Sequence, residues 1–172
     1  HHLLGNAFRR MAEKEPDRPD IVYSAMPTIE LSGAAAAYGK AHGLPVLLDM
    51  RDMWPDILIE AGPAALKSLA RGALRPLFRK LRKACSEATG IIGITRPYVD
   101  WGLAYAGRGP SDFDKDFPLA YSPAKPAPEE IQRARRFWKE WGLGGDDRPF
   151  LICFFGILGN SFVPEMRTVI EA

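Results

Sequence analysis

The sequence predicts an α/β fold, a parallel sheet with helices on both faces in three layers. Three observations carry that expectation. Short apolar runs recur as Ile21-Val22-Tyr23, Pro45-Val46-Leu47-Leu48 and Gly90-Ile-Ile-Gly-Ile-Thr95. The first two are separated by a helical segment of the length a βαβ crossover needs, which implies parallel pairing. The run at 45–48 is opened by proline and is continuously apolar, as suits a strand buried on both faces.

Residues 3–14 have helical spacing (Leu4, Ala7, Phe8, Met11) and stop before Pro16 and Pro19. Residues 20–25 read as a strand. Thr28 is placed to cap a helix running to His42, with Glu30 in its positive first turn. Leu31, Ala34, Ala35, Tyr38 and Ala41 line one face of it, and Gly43 ends it. A strand at 46–50 follows. Residues 64–84 then hold seven basic residues and no acid, with an apolar stripe of Leu66, Leu69, Leu74, Leu77, Phe78 and Leu81. Gly72 and Pro76 are expected to split this segment into two helices, Pro76 opening the second.

The strand at 90–95 is followed by a helix from Tyr98 to about Ala106, its first turn set by Pro97 and its end closed by Gly107. Residues 107–118 read as loop, and a further strand is expected at 119–122. Three prolines within 122–128 mark a linker. An amphipathic helix spans 129–141, with Ile131, Phe137, Trp138 and Trp141 on one side and Arg133, Arg135 and Arg136 on the other. Residues 150–155 form the strongest strand pattern of all, followed by Gly156, Gly159 and a helix from Pro164. The chain is thus expected to divide at 1–122, a linker with its helix at 123–145, and the opening of a second domain at 146–172. A chain that stops within a helix reads as a fragment.

Composition narrows the function. Apolar residues make up 47% of the 172 and charged residues 26%, a globular balance. The longest nearly apolar run, 150–158, is about half of what a membrane-spanning helix needs, and no signal peptide is evident. Cys85 and Cys153 each lie in apolar elements, which suits a reducing, cytoplasmic setting rather than a disulfide framework or zinc site. His1 and His2 have the look of a tag end, so His42 is the one assured imidazole, and chemistry built on histidine is not expected. A Gly-x-Ser-x-Gly elbow is missing, which removes the parts of acyl transfer. Asp112-x-Asp114-x-Asp116 has the start of a calcium loop, but Phe117 and Pro123 stand where glycine and glutamate belong, so no metal is expected.

The charged end of the second strand draws the eye. Asp49, Arg51 and Asp52 crowd three charges into four positions before Trp54-Pro55. Ligands bind at the carboxyl ends of strands in open α/β sheets. By alternation Asp49 and Arg51 share one sheet face while Asp52 opposes them. Asp49 fits a buried, paired carboxylate; Arg51, Asp52 and Trp54 fit a cleft wall. Thr95 ends its strand at the same edge, where it suits a helix cap or a place in that wall. Gly156 and Gly159, with Asn160, have the layout of a turn that lets backbone N–H groups cradle a phosphate. Arg75, Arg79 and Lys80 belong to a basic stretch that suits an anionic membrane surface, although a helix pair with its solvated face outward fits the same residues. Nucleic acid fits poorly, because few aromatics interleave the basic residues.

These strings together resemble part of a GT-B-fold glycosyltransferase close to family 4. Residues 19–27 (PDIVYSAMP), 47–55 (LLDMRDMWP) and 90–95 (GIIGIT) are similar to the later half of that family's Rossmann-like N-terminal domain. Residues 150–159 (FLICFFGILG) resemble the opening of its C-terminal domain. The resemblance implies half of a GT-B architecture and transfer of a sugar from a nucleotide-sugar donor to a glycan or lipid-linked acceptor, with no cofactor or required metal. It would place Gly156, Gly159 and Asn160 at the donor diphosphate, and Arg51 and Asp52 as the catalytic pair near the transferred sugar. Arg51 stands where many relatives carry histidine, and Phe162 near the place of a frequent lysine. By that layout the early strands and most of the donor domain, with its paired glutamates, are missing, so the isolated chain is expected to be inactive. A nucleotide-sugar epimerase of the same fold and a non-catalytic docking module are the rival readings. Exposed strand edges favour a homodimer.

Overall fold

The computed structural model describes residues 2–120 and 124–143. The chain divides into two compact units, 1–121 and 122–172. In the first, α1 (His2–Ala12) precedes β1 (Val22–Ala25), α2 (Ile29–His42) and β2 (Val46–Met50). Then come α3 (Asp56–Glu60), a 3-10 turn (Ala64–Leu66), α4 (Lys67–Ala73), α5 (Arg75–Glu87), β3 (Gly90–Gly93) and α6 (Arg96–Ala106). The described part of the second unit contains α7 (Pro128–Glu140). The strand expected at 150–155, Gly156, Gly159, Asn160, Cys153 and the helix from Pro164 lie outside the described residues.

The three strands form one parallel sheet in the order β1-β2-β3, with Val22 opposite Val46 and Leu48 opposite Ile91. Strand order that advances in one direction through right-handed crossovers puts the connecting helices on one face. Accordingly Val22, Val46, Leu48, Met50 and Ile91 share a core with Ala35, Ala36 and Tyr38 of α2, Leu81, Ala84 and Cys85 of α5, and Val99 and Leu103 of α6. Leu48, Met50, Leu81 and Ile91 have no exposed surface. Each such side chain contributes about 2 kcal/mol by leaving water. The opposite face presents Tyr23, Leu47, Asp49 and Ile92, and no described helix covers it.

Local chemistry explains the element ends. Gly43 and Gly107 adopt φ of +67°, the left-handed conformation that closes α2 and α6. Pro76 lies in the first turn of α5. The break between α4 and α5 falls at Leu74; Gly72, expected to mark it, stays within α4. Leu66 and Leu69 are exposed, whereas Phe78 and Leu81 are buried, so the stripe expected over 64–84 is a core face only along α5. Ala41 is likewise exposed and Ser32 buried on α2, because that helix is held between α1, α5 and β1 rather than resting one face on the sheet. The Ser32 and Ser24 hydroxyls satisfy each other at 3.1 Å. The Cys85 thiol is pushed up to about 12 by burial. Residues 119–120 are not a strand; the pairing expected there falls earlier, as a single parallel bridge from Gly93 to Asp116.

Two α2 glycines separate packing from propensity. A Cβ on Gly39 would stand 2.1 Å from Val46 Cγ2, whereas one on Gly33 would meet open space. Gly39→Ala is expected to destabilise by about 1–3 kcal/mol through overpacking. Gly33→Ala is expected to stabilise by roughly 0.5–1 kcal/mol. Urea unfolding of the two variants checks both signs.

Candidate functional site

β2 ends at the carboxyl edge of the sheet with its charged side chains on the uncovered face. Asp49 is buried, and its Oδ2 accepts hydrogen bonds from the Tyr23 hydroxyl and, at 2.6 Å, from Arg51 Nε. Arg51 Nη2 donates to the Tyr23 hydroxyl at 3.3 Å, closing a three-residue ring. The parallel register makes this ring: Tyr23 pairs with Leu47, two residues before Asp49 on the same face. The hydrogen bond to Asp49 and partial burial raise the Tyr23 phenol above its ordinary value, against a smaller opposing effect of Arg51. Arg51 itself is held more firmly protonated, first by its bond to Asp49 and then by that to Tyr23.

These three side chains line a cleft of about 470 Å³ with Ile92, Gly93, Ile94, Phe117 and Leu119. Arg51 is 58% exposed and uses two of its five N–H donors within the ring. Three donors remain, enough for a forked contact with an anionic oxygen pair such as phosphate or carboxylate. Asp49 and Tyr23 restrain the guanidinium before any ligand arrives, which lowers the entropy lost on binding.

A second cluster supports the cleft wall. Asp114 is buried and accepts from Arg108 Nη1 and Nη2 at 2.6 and 2.8 Å, from the Ser111 amide and hydroxyl, and from the Ile91 amide. This carboxylate ties loop 108–117 to β3. The Phe117 amide then donates to the Gly93 carbonyl at 2.8 Å, setting Phe117 against the cleft. Burial alone would raise the Asp114 carboxyl, but Arg108, Ser111 and the Ile91 amide outweigh it and hold it well below the usual carboxylate range.

The other expected residues do not line this cleft. Asp52 and Trp54 are half-buried, and Asp52, opposite Arg51 by alternation, has no described hydrogen bond. Thr95 occupies the N-cap position of α6 but makes no side-chain cap bond. Arg75 and Arg79 are exposed on α5; Lys80 instead donates to Glu30 at 3.2 Å and borders a cavity of about 230 Å³ with Arg9 and Lys83. Among the described residues no cluster of three or more His, Cys, Asp or Glu side chains is placed to hold a metal ion. Nor is any described helix long and apolar enough to cross a membrane. Tyr23 was missed by sequence reasoning, although strand alternation and parallel register would have placed it over Asp49. Phe117 and Leu119 carried no such signal, because their position is set by the Asp114 contacts across the loop.

No family model, curated protein or solved structure matches the chain. The site rests on its own geometry.

The Asp114 cluster predicts an acid sensitivity. A carboxyl depressed in the folded state stabilises fully above its unfolded value near 3.8 and loses that contribution as pH falls below it. Arg108→Ala is expected to cost about 3 kcal/mol at neutral pH by leaving a buried charge unpaired. It should also flatten the decline in stability below about pH 4, since the folded carboxyl rises toward its unfolded value. Urea denaturation across pH for both proteins checks the cost and the slope.

Proposed function

We propose that this chain supplies the acceptor-side edge of a sugar transferase with GT-B architecture. The observation that carries the reading is the Arg51 guanidinium, braced by Asp49 and Tyr23, with three donors free beside a cleft at the carboxyl end of a central parallel strand. In transfer from a nucleotide-sugar, negative charge develops on the diphosphate as the glycosidic bond breaks. A fixed cation near that charge lowers the barrier more than it stabilises the ground state. Arg51 is suited to that role, and half-buried Asp52 to the sugar hydroxyls or the incoming acceptor. The resemblance of residues 47–55 to the corresponding family string supports the same placement.

In this reading the uncovered sheet face is closed by a further helical layer, giving the three layers expected of a Rossmann-like domain. The diphosphate contacts fall to Gly156, Gly159 and Asn160, and the acceptor is a glycan or lipid-linked saccharide at the cytoplasmic side of a membrane.

The test is turnover by the protein expressed from its full reading frame, measured as nucleoside diphosphate release from a panel of nucleotide-hexoses with acceptor present. Arg51→Ala is expected to lower kcat/KM by about 100-fold or more, and Arg51→Lys to recover only part, having charge without the fork. Unchanged turnover in Arg51→Ala removes the proposed role. Release of nucleoside diphosphate with an altered free sugar and no glycoside product would instead identify an epimerase.

A further inference from the structure

The segment between β2 and α5 folds into a small helical hairpin. Arg71 Nη2 reaches Asp56 Oδ1 at 3.1 Å, and Lys67 pairs with Glu60, so α3 and α4 lie side by side in antiparallel order. Asp56 also accepts from the Trp101 indole at 3.0 Å and from the Tyr105 hydroxyl at 2.5 Å, both on α6. The Arg71 guanidinium stands 5.3 Å from the centre of the Phe78 ring, which stacks on Tyr105. Ile59 is buried. The hairpin is therefore anchored on its inner side by one carboxylate, one aliphatic side chain and a ring stack.

Its exposed side chains have a different chemistry. Leu69 is 72% exposed, Leu66 53%, Ile57 48% and Leu58 45%. Four large aliphatic side chains from one short segment face water, while the clip and anchor use its polar groups. The flanking charge is one-sided. Residues 56–83 carry seven Lys or Arg and two acids, and both acids, Asp56 and Glu60, are occupied in the clip. Arg75 and Arg79 continue the exposed cations along α5.

We propose that this hairpin docks on an anionic lipid bilayer, with Ile57, Leu58, Leu66 and Leu69 entering the interface and the exposed Arg75 and Arg79 meeting the headgroups. Aliphatic side chains flanked by cations match a surface that is apolar just beneath a negative layer. A second copy of the chain is the poorer occupant, because a two-fold contact through this face would oppose the same cations. Nucleic acid lacks the stacking aromatics it would need here. The inference does not depend on the sugar-transfer reading, since it concerns attachment and not chemistry.

Sedimentation of the chain with vesicles tests it. Vesicles containing about 30% phosphatidylserine are expected to carry the chain down, and pure phosphatidylcholine vesicles to leave it in solution. Leu66→Ser with Leu69→Ser is expected to weaken partitioning at least about tenfold with an unchanged unfolding midpoint, because both side chains are exposed. Arg75→Glu with Arg79→Glu should weaken it by at least as much, each near-surface cation being worth about fivefold. Raising salt from about 0.1 M to about 0.5 M should release the chain. Charge reversal at Arg10, on α1, and Lys14, in the turn after it, should leave binding unchanged. Absence of sedimentation, equal binding to neutral vesicles, or indifference to the leucine pair overturns the proposal. Self-association abolished by the leucine pair, without vesicle binding, overturns it in favour of a second copy.

Discussion

The structure depends on which way β2 faces. Val46, Leu48 and Met50 are driven into the helix-covered side because they supply the middle of the core. Alternation then obliges Asp49 and Arg51 to project from the other side, at the edge where the strand ends. One residue of slippage would bury a carboxylate and a guanidinium among α2, α5 and α6 and expose Val46, Leu48 and Met50. The same apolar demand that selects the fold therefore fixes where the charged ring can form. Tyr23 joins it because β1 is tied to β2 in matching parallel register.

Much of this was legible in the residues. The three strands, the crossover helix α2 and the glycine ends of α2 and α6 follow from apolar runs and left-handed turns, which are local signals. The division of the basic stretch was readable only in outline. Proline at 76 marks the start of α5 by its geometry, but Leu66 and Leu69 share the spacing of Leu77 and Leu81, and their different fates depend on what packs against them. Sequence spacing says that a face is apolar. It does not say whether another element arrives to cover it.

The site was legible to the same degree. Asp49 and Arg51 announce themselves as charges at a strand end, and alternation puts them on one face. Their brace, Tyr23, comes from another strand, and the cleft wall comes from a loop held by a buried carboxylate. Asp114 carries a motif that fits calcium poorly, yet its five hydrogen bonds make it a structural tie, joining loop 108–117 to β3 through Arg108 and the Ile91 amide. Contacts between residues distant in sequence leave no periodic trace, so Phe117 could not be assigned from pattern alone, whereas Tyr23 follows once alternation is joined to the parallel register of β1 on β2.

Cys85 offers a different kind of access to the molecule. Its thiol is sealed in the core between α5 and the sheet and stays protonated at physiological pH, so it is a poor nucleophile while the packing holds. An alkylating reagent would reach it only in those moments when α5 lifts away. The rate of its modification is then a clock for the breathing of the central layer, built in without any added probe.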